Sequence, residues 1–438
     1  MQEDYIPRSE TEIRFVSGSS EGKPDGKPDE FEQIRNVGTI QEYGAVREKT
    51  FWERIGIGGS ITARPIINDG IIYFGAYDKN FYALDLEGKE VWKFPTNGVI
   101  QSYALAVGDL VVFGSRDKNL YALDGKTGSL VWKFESEGPI GGSPVEHKGR
   151  IYFGSSDGKL YCLDAKGNNI WVFKTPYALI TPFIAEDKVF VGYNGSSLYC
   201  LNLKGELLWR FNANDWIAAW PAAYGGGKLF FGSGDKNLYA ITTSGEFKWK
   251  YPAKDVVLSP VIQDGRLYFG CGDKLYCVGS DGERLWDFKT EGSVGHATVS
   301  DGMVYFGSYD NYMYAVDKDK GGMKWKFQTN NFVHTNPLVH KDMVIFGSWD
   351  CNLYCLDRKS GSLIWKFPTS LGTPSKIMQP EKTETKKIEV VITQGAEKPE
   401  EKRYKAHEVM GNYEADVTEY ASGMSKTYIS SKKKGYID

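Results

Sequence analysis

Tryptophan recurs at positions 52, 92, 132, 171, 209, 249, 286, 325 and 365, at intervals of 37 to 40 residues. Self-similarity at such a period describes a chain built from stacked copies of one supersecondary unit, each unable to bury its own apolar faces alone. Nine markers bound eight repeats. One repeated architecture therefore replaces the two or three separate domains that 438 residues could otherwise hold.

Each repeat carries the same parts. A glycine closes an apolar run at 75, 114, 154, 192, 232, 270, 307 and 347. A turn aspartate follows at 78, 117, 157, 235, 273, 310 and 350, and the fourth repeat departs with Asn194-Gly195. A tyrosine opens the next apolar run, and a second glycine lies four residues before each of the last eight tryptophans. Fifty glycines and 14% aromatic residues suit many short strands joined by tight turns. In the second repeat the strands are expected at 102–107, 109–114, 119–124 and 129–134. The runs Leu-Val-Val-Phe-Gly and Leu-Tyr-Ala-Leu-Asp are apolar on both faces, as strands between neighbouring sheets must be. Four strands repeated eight times predict an all-β, eight-bladed β-propeller. Trp132 and Phe134, and their counterparts, are expected between adjacent blades, and the turn aspartates are expected to serve turn chemistry. The ring spans residues 51–370, between irregular extensions at 1–50 and 371–438. Two tryptophans compete to close it: Trp52, on a lone fourth strand arriving from the N-terminal side, and Trp365, on the last repeat's own fourth strand.

The string Tyr121-Ala-Leu-Asp-Gly-Lys-Thr-Gly-Ser-Leu-Val-Trp132 resembles the repeat of the pyrroloquinoline-quinone-like (PQQ-like) propellers. That superfamily includes quinoprotein alcohol dehydrogenases and an outer-membrane assembly lipoprotein. The enzyme branch implies adjacent cysteines, a calcium-holding carboxylate and amide set, an Asp base and long insertions over a cofactor. This sequence has no Cys-Cys pair and no such insertions. The lipoprotein branch implies a lipobox cysteine near the start, where the first cysteine here is Cys162. The resemblance therefore implies a non-enzymatic propeller with no cofactor, and fold does not fix function.

Other classes find little support. The net charge of −3 gives no overall basic footprint for nucleic acid. No apolar run reaches the length of a membrane-spanning helix. The opening MQEDYIPRSE lacks a basic and apolar leader pattern, so a cytoplasmic location with no membrane contact is expected. Cys162, Cys200, Cys277 and Cys355 stand where sister repeats have alanine, and read as small buried apolar residues. Cys351 and Cys355 are four apart, but no further Cys/His pair completes a zinc set, so no metal site is expected. Gly-x-Ser-x-Gly occurs at 18–22 and 154–158, in a polar linker and in a hairpin, away from the strand–turn–helix elbow that gives the motif its chemistry.

Propellers bind at the channel mouth, through the loops that lead from each fourth strand into the next blade. Aligning these loops gives one position per blade: Arg64, Tyr103, Ser143, Thr181, Trp220, Ser259, Ala297 and Asn336. Arg64, Gln101, Tyr103, Trp216, Trp220, His296, His334 and Asn336 are the candidate binding residues. Trp216, Trp220 and Tyr103 would act as aromatic anchors and Arg64 as a bidentate donor. The competing reading is that large side chains simply fill the wide axis of an eight-bladed ring.

Charge divides unevenly: net −4 over residues 1–50, zero over 51–370 and +1 over 371–438, with +3 in the last fifteen. One strand is expected at 387–392. At the very end Tyr428 and Tyr436 flank Lys432, Lys433 and Lys434, a pattern suited to RNA or to an acidic protein surface. The sequence thus points to a non-catalytic scaffold for a protein or ribonucleoprotein partner. The alternatives are an RNA- or ribosome-associated factor acting through the basic tail, and a quinone- or other small-ligand-binding enzyme.

Overall fold

The computed structural model describes residues 16–18, 58–192, 195–369 and 391–393, with side chains for 58–192, 195–217 and 222–369. The chain divides into two compact units, Trp52–Ile377 and a second that joins Met1–Phe51 to Met378–Asp438. In the second unit Val16–Gly18 pairs in parallel with Val391–Thr393. Residues 391 and 392 of the strand expected at 387–392 fall in this pair, and residues 387–390 lie outside the described residues.

The larger unit is an eight-bladed β-propeller of four-stranded antiparallel blades. Each blade is a meander of four consecutive strands. In blade 2 these are Leu105–Val107, Leu110–Gly114, Asn119–Asp124 and Leu130–Glu135. The first strand is shorter than its apolar run because Ser102 and Tyr103 make other bonds. The Ser102 hydroxyl accepts from Gly114 N–H at 2.8 Å, and Tyr103 N–H donates across to Ser143 Oγ in blade 3 at 2.8 Å.

Burial follows strand position. The second and third strands are buried on both faces, whereas the outermost strand alternates toward solvent. The core is accordingly eight separate clusters, one at each seam between blades. At the seam of blades 1 and 2, Phe81 stacks on Phe113 with centroids 3.9 Å apart, and Trp92 and Phe94 pack at its edge. Cys162, Cys200, Cys277 and Cys355 lie fully buried and unpaired in these clusters.

The marker tryptophans knit each blade to the next. The Trp92 indole N–H donates to Gly125 O at 2.9 Å, Trp132 to Ala165 O, Trp171 to Leu203 O, and so on through Trp325 to Arg358 O. The turn glycine of the following blade lies flat on the ring. Gly88 has φ +81°, and a methyl there would sit 2.6 Å from Trp365. That glycine is required twice, for its left-handed turn and for this contact.

The other repeated glycine answers to close approach alone. A methyl at Gly75 would lie 2.1 Å from Ile100, whose loop crosses the end of the strand, and Gly114 with Ile140 and Gly347 with Ile61 repeat the relation. The turn aspartates act as locks. In blade 2, Asp117 accepts from Asn119 N–H, Tyr121 OH and Asn97 N–H, tying its hairpin to the next strand and to the incoming loop.

Trp365 sits on the fourth strand of blade 8, Leu363–Pro368, which completes that blade from its own repeat. The ring then closes through side chains and loops: Trp365 Nε1 donates to Leu86 O, Thr369 Oγ1 to Gly59 O and Ile61 N–H to Ser348 O. Trp52 lies outside the described residues.

Candidate functional site

The loops entering each blade share a face with the turns that carry the aspartates. Gly98 O accepts from Ser115 Oγ, and Asn97 N–H reaches Asp117. Two rings of positions therefore surround one end of the channel, the pre-strand column predicted above and the residue just before each turn aspartate.

Part of the column is a seam. Ser143 Oγ accepts from Tyr103 N–H, and Thr181 Oγ1 accepts from Ser143 N–H at 2.8 Å. Asn336 accepts a 2.5 Å bond from Thr298 Oγ1, joining blades 7 and 8. Trp216 is half-buried over the hairpin of its own blade, where a Cβ on Gly234 would lie 2.2 Å from its Nε1. Trp220 falls within the bulge between Ala218 and Ala223, and its side chain lies outside the described residues. Tyr428, Lys432, Lys433, Lys434 and Tyr436 also lie outside them.

Two groups do converge. In blades 1 and 2, Gln101 is buried; its amide N–H donates to Tyr77 OH and its carbonyl accepts from Arg116 at 3.2 Å. Arg64 and Tyr103 are electrostatic neighbours. Burial lowers the Arg64 pKa, an effect that Tyr103 partly offsets, and burial raises that of Tyr103. The Tyr103 hydroxyl therefore stays protonated at neutral pH.

In blades 7 and 8 the rings of His296 and His334 meet edge to face with centroids 5.2 Å apart. His296 stands in the bulge between Val294 and Ala297, a device that re-aims a side chain. His334 stacks on Tyr309 at 5.4 Å, and Phe332 and Trp349 complete the aromatic cluster. Burial drives the His296 pKa down to about 3, with His334 adding to the effect, and burial drives His334 down to about 4. Both imidazoles are neutral at pH 7. Among the described residues no three His, Cys, Asp or Glu side chains converge as a metal set would.

Tyr77, Arg116, Tyr309 and Trp349 are the residues the pre-strand alignment passes over. They occupy the position before the turn aspartate, where blades 3, 5 and 6 carry Ser156, Gly234 and Gly272. A second column, aligned on the aspartates, would have found them. In this second column large polar and aromatic residues of blades 7, 8, 1 and 2 stand opposite small ones of blades 3, 5 and 6, with Trp216 packed over the Gly234 of blade 5.

A family model described as outer membrane protein assembly factor BamB, of the PQQ-like type, matches residues 42–134, 116–255, 194–277 and 256–395. These matches run without a gap from 42 to 395 and cover most of the chain. The chain belongs to this BamB-type PQQ-like family. Its fold likeness extends to solved structures at low identity. The computationally designed Ika8 protein aligns with TM-score 0.60 at 16% identity, over 70% of this chain and 95% of that one. BamB from Moraxella catarrhalis aligns with TM-score 0.55 at 16% identity, over 68% and 91%. None of the curated proteins compared with the chain matches it. Within this BamB-type propeller, the channel mouth departs from eightfold repetition and so is the part free to be specific.

Proposed function

We propose that this propeller is a non-catalytic scaffold that presents the channel mouth to a protein partner. The supporting observation is the aromatic arc of Tyr309, Phe332 and Trp349 beside His334, in which Trp349 Nε1 and His334 Nε2 are buried without hydrogen-bond partners. Tyrosine and tryptophan are the residue types that anchor interfaces, and buried polar atoms are normally satisfied. The six cysteines are buried and none is in a disulfide, which is consistent with a reducing compartment such as the cytoplasm.

Capture from native lysate by full-length protein, alongside Tyr309→Ala/Trp349→Ala and a Ser156→Ala control, tests the reading. A partner retained by the first and the control but not by the double variant supports it. Equal retention by all three overturns it, as does capture of nothing.

A second reading, RNA or ribosome association, is supported by Lys432-Lys433-Lys434 between Tyr428 and Tyr436. It requires binding that weakens steeply with salt and disappears when the three lysines become alanine. An enzymatic quinone-binding reading requires a spectral change on adding quinone and calcium.

A further inference from the structure

The outermost strands gather the exposed apolar surface of the ring. Among the described residues, eleven of the thirteen large apolar side chains most open to solvent lie on them, the other two being Tyr177 and Tyr224. Charge gathers there too, and unevenly around the rim. The outer strands of blades 5 to 8, Phe247–Pro252, Arg284–Lys289, Met323–Gln328 and Leu363–Pro368, carry seven cations and one acid, Asp287. Those of blades 1 to 4 carry four cations and two acids.

Blades 5, 7 and 8 repeat one arrangement. An exposed apolar residue opens the strand, Phe247, Met323 or Leu363, and an exposed lysine follows three places later, Lys250, Lys326 or Lys366. Acids near the strand ends hold other cations: Glu246 pairs with Lys248, Asp273 with Lys289 and Asp317 with Lys324. The three repeated lysines lie mid-strand between those ends, Lys326 over the ring of Tyr312 at 4.3 Å.

An open sheet edge needs protection from pairing with other chains, and charge of either sign provides it. Protection therefore explains neither the excess of cations nor the apolar side chains set among them. Lysine stems beside apolar side chains make a surface that is apolar along its length and positive at its tips. Its complement is a polypeptide in which acidic and apolar residues alternate. Nucleic acid is a poorer match, because it stacks on aromatic faces. The faces of Trp249, Trp325 and Trp365 are covered by the turn glycines of the next blades.

We propose that the rim of blades 5 to 8 docks an acidic, apolar-rich polypeptide segment. Lys250, Lys326 and Lys366 meet its carboxylates, and Phe247, Met323 and Leu363 meet its apolar side chains. This surface is separate from the channel mouth and stands whether or not the mouth binds a partner.

The test uses full-length protein and fluorescence anisotropy with three labelled probes: a peptide of alternating Glu and Leu, octaglutamate, and a single-stranded RNA. The wild type is compared with Lys250→Gln/Lys326→Gln/Lys366→Gln and with Phe247→Ser/Met323→Ser/Leu363→Ser. A Lys93→Gln/Lys133→Gln/Lys174→Gln control lies on the other half of the rim. The Glu-Leu peptide is expected to bind wild type and control saturably, and more tightly than octaglutamate. Its binding should weaken roughly tenfold in either variant of blades 5 to 8. No binding of the peptide by the wild type overturns the proposal, as does unchanged affinity in either of those variants or an equal loss in the control. Octaglutamate binding the wild type as tightly as the peptide also overturns it, whatever the variants do. So does tighter binding of the RNA that is lost when Lys250, Lys326 and Lys366 are replaced, which assigns the rim to nucleic acid.

Discussion

The indole N–H of Trp365 donates to the carbonyl of Leu86, 2.9 Å away and 279 residues earlier in the chain. The same bond joins Trp92 to Gly125 at an internal seam. The seam that closes the ring is thus made like the others, by a side chain reaching the next blade's hairpin.

Closure by Trp365 predicts that Trp365→Phe costs about 1–2 kcal/mol, since Leu86 O loses its donor. Trp365→Ala should cost about 3–5 kcal/mol through the added cavity. Urea denaturation should show Trp365→Ala as damaging as Trp171→Ala at an internal seam. A mild Trp365→Ala beside a severe Trp52→Ala would move the closure to the N-terminal segment.

Glycine at the end of each second strand is set by contact. A Cβ at Gly114 would lie 2.3 Å from Ile140 Cγ2, whereas one at Gly322 meets nothing within 4 Å. Gly114→Ala should therefore destabilise by about 1–3 kcal/mol through overpacking, and Gly322→Ala should stay within about 0.5 kcal/mol of wild type. Thermal melts of the two variants check the difference.

Asp350 is fully buried and accepts from Asn352 N–H, Tyr354 OH and Asn330 N–H. Asp350→Asn turns one acceptor into a donor facing donors, and should cost about 2–3 kcal/mol. A double-mutant cycle with Tyr354→Phe should give a coupling of about 0.5–3 kcal/mol. Additive losses would mean that the two groups do not share a bond.

The two buried histidines make stability depend on pH. Their folded pKa values, about 3 for His296 and about 4 for His334, lie below the ordinary 6.5. Between those values the unfolded chain binds more protons, so stability rises with pH. It is complete above 6.5 and falls as pH drops toward 4, with a slope approaching about 1.4 kcal/mol per unit for each histidine. Denaturation midpoints from pH 7.5 to 4.5 should show this decline, and His296→Gln/His334→Gln should flatten it.

The blades were legible because a strand hairpin and its tryptophan recur with almost no drift. Gly128 announced a left-handed turn, and its contact with Trp92 explains the tryptophan as well. The shortened first strand was not legible, because Ser102 and Tyr103 bond to residues that only the third dimension supplies. Closure was equally hidden, since the sequence offers two fourth strands, those of Trp52 and Trp365, for one edge. Within the mouth, the pre-strand column located Arg64 and Tyr103, and its neighbourhood located His296 and His334. It also drew in Trp216, which packs on its own hairpin, and it passed over Tyr309 and Trp349. Those two sit beside turn residues whose repetition masks the one variable place among them.

Site-specific photo-crosslinking in cells shows whether the channel mouth meets a protein partner. A photoreactive benzoylphenylalanine is placed at position 349, on the aromatic arc, or at position 208, on the exposed outer strand of blade 4. A propeller working through its channel mouth gives a discrete adduct with a protein partner from 349 and none from 208. Adducts from 208 alone, or from neither position, would contradict a scaffold that works through its channel mouth.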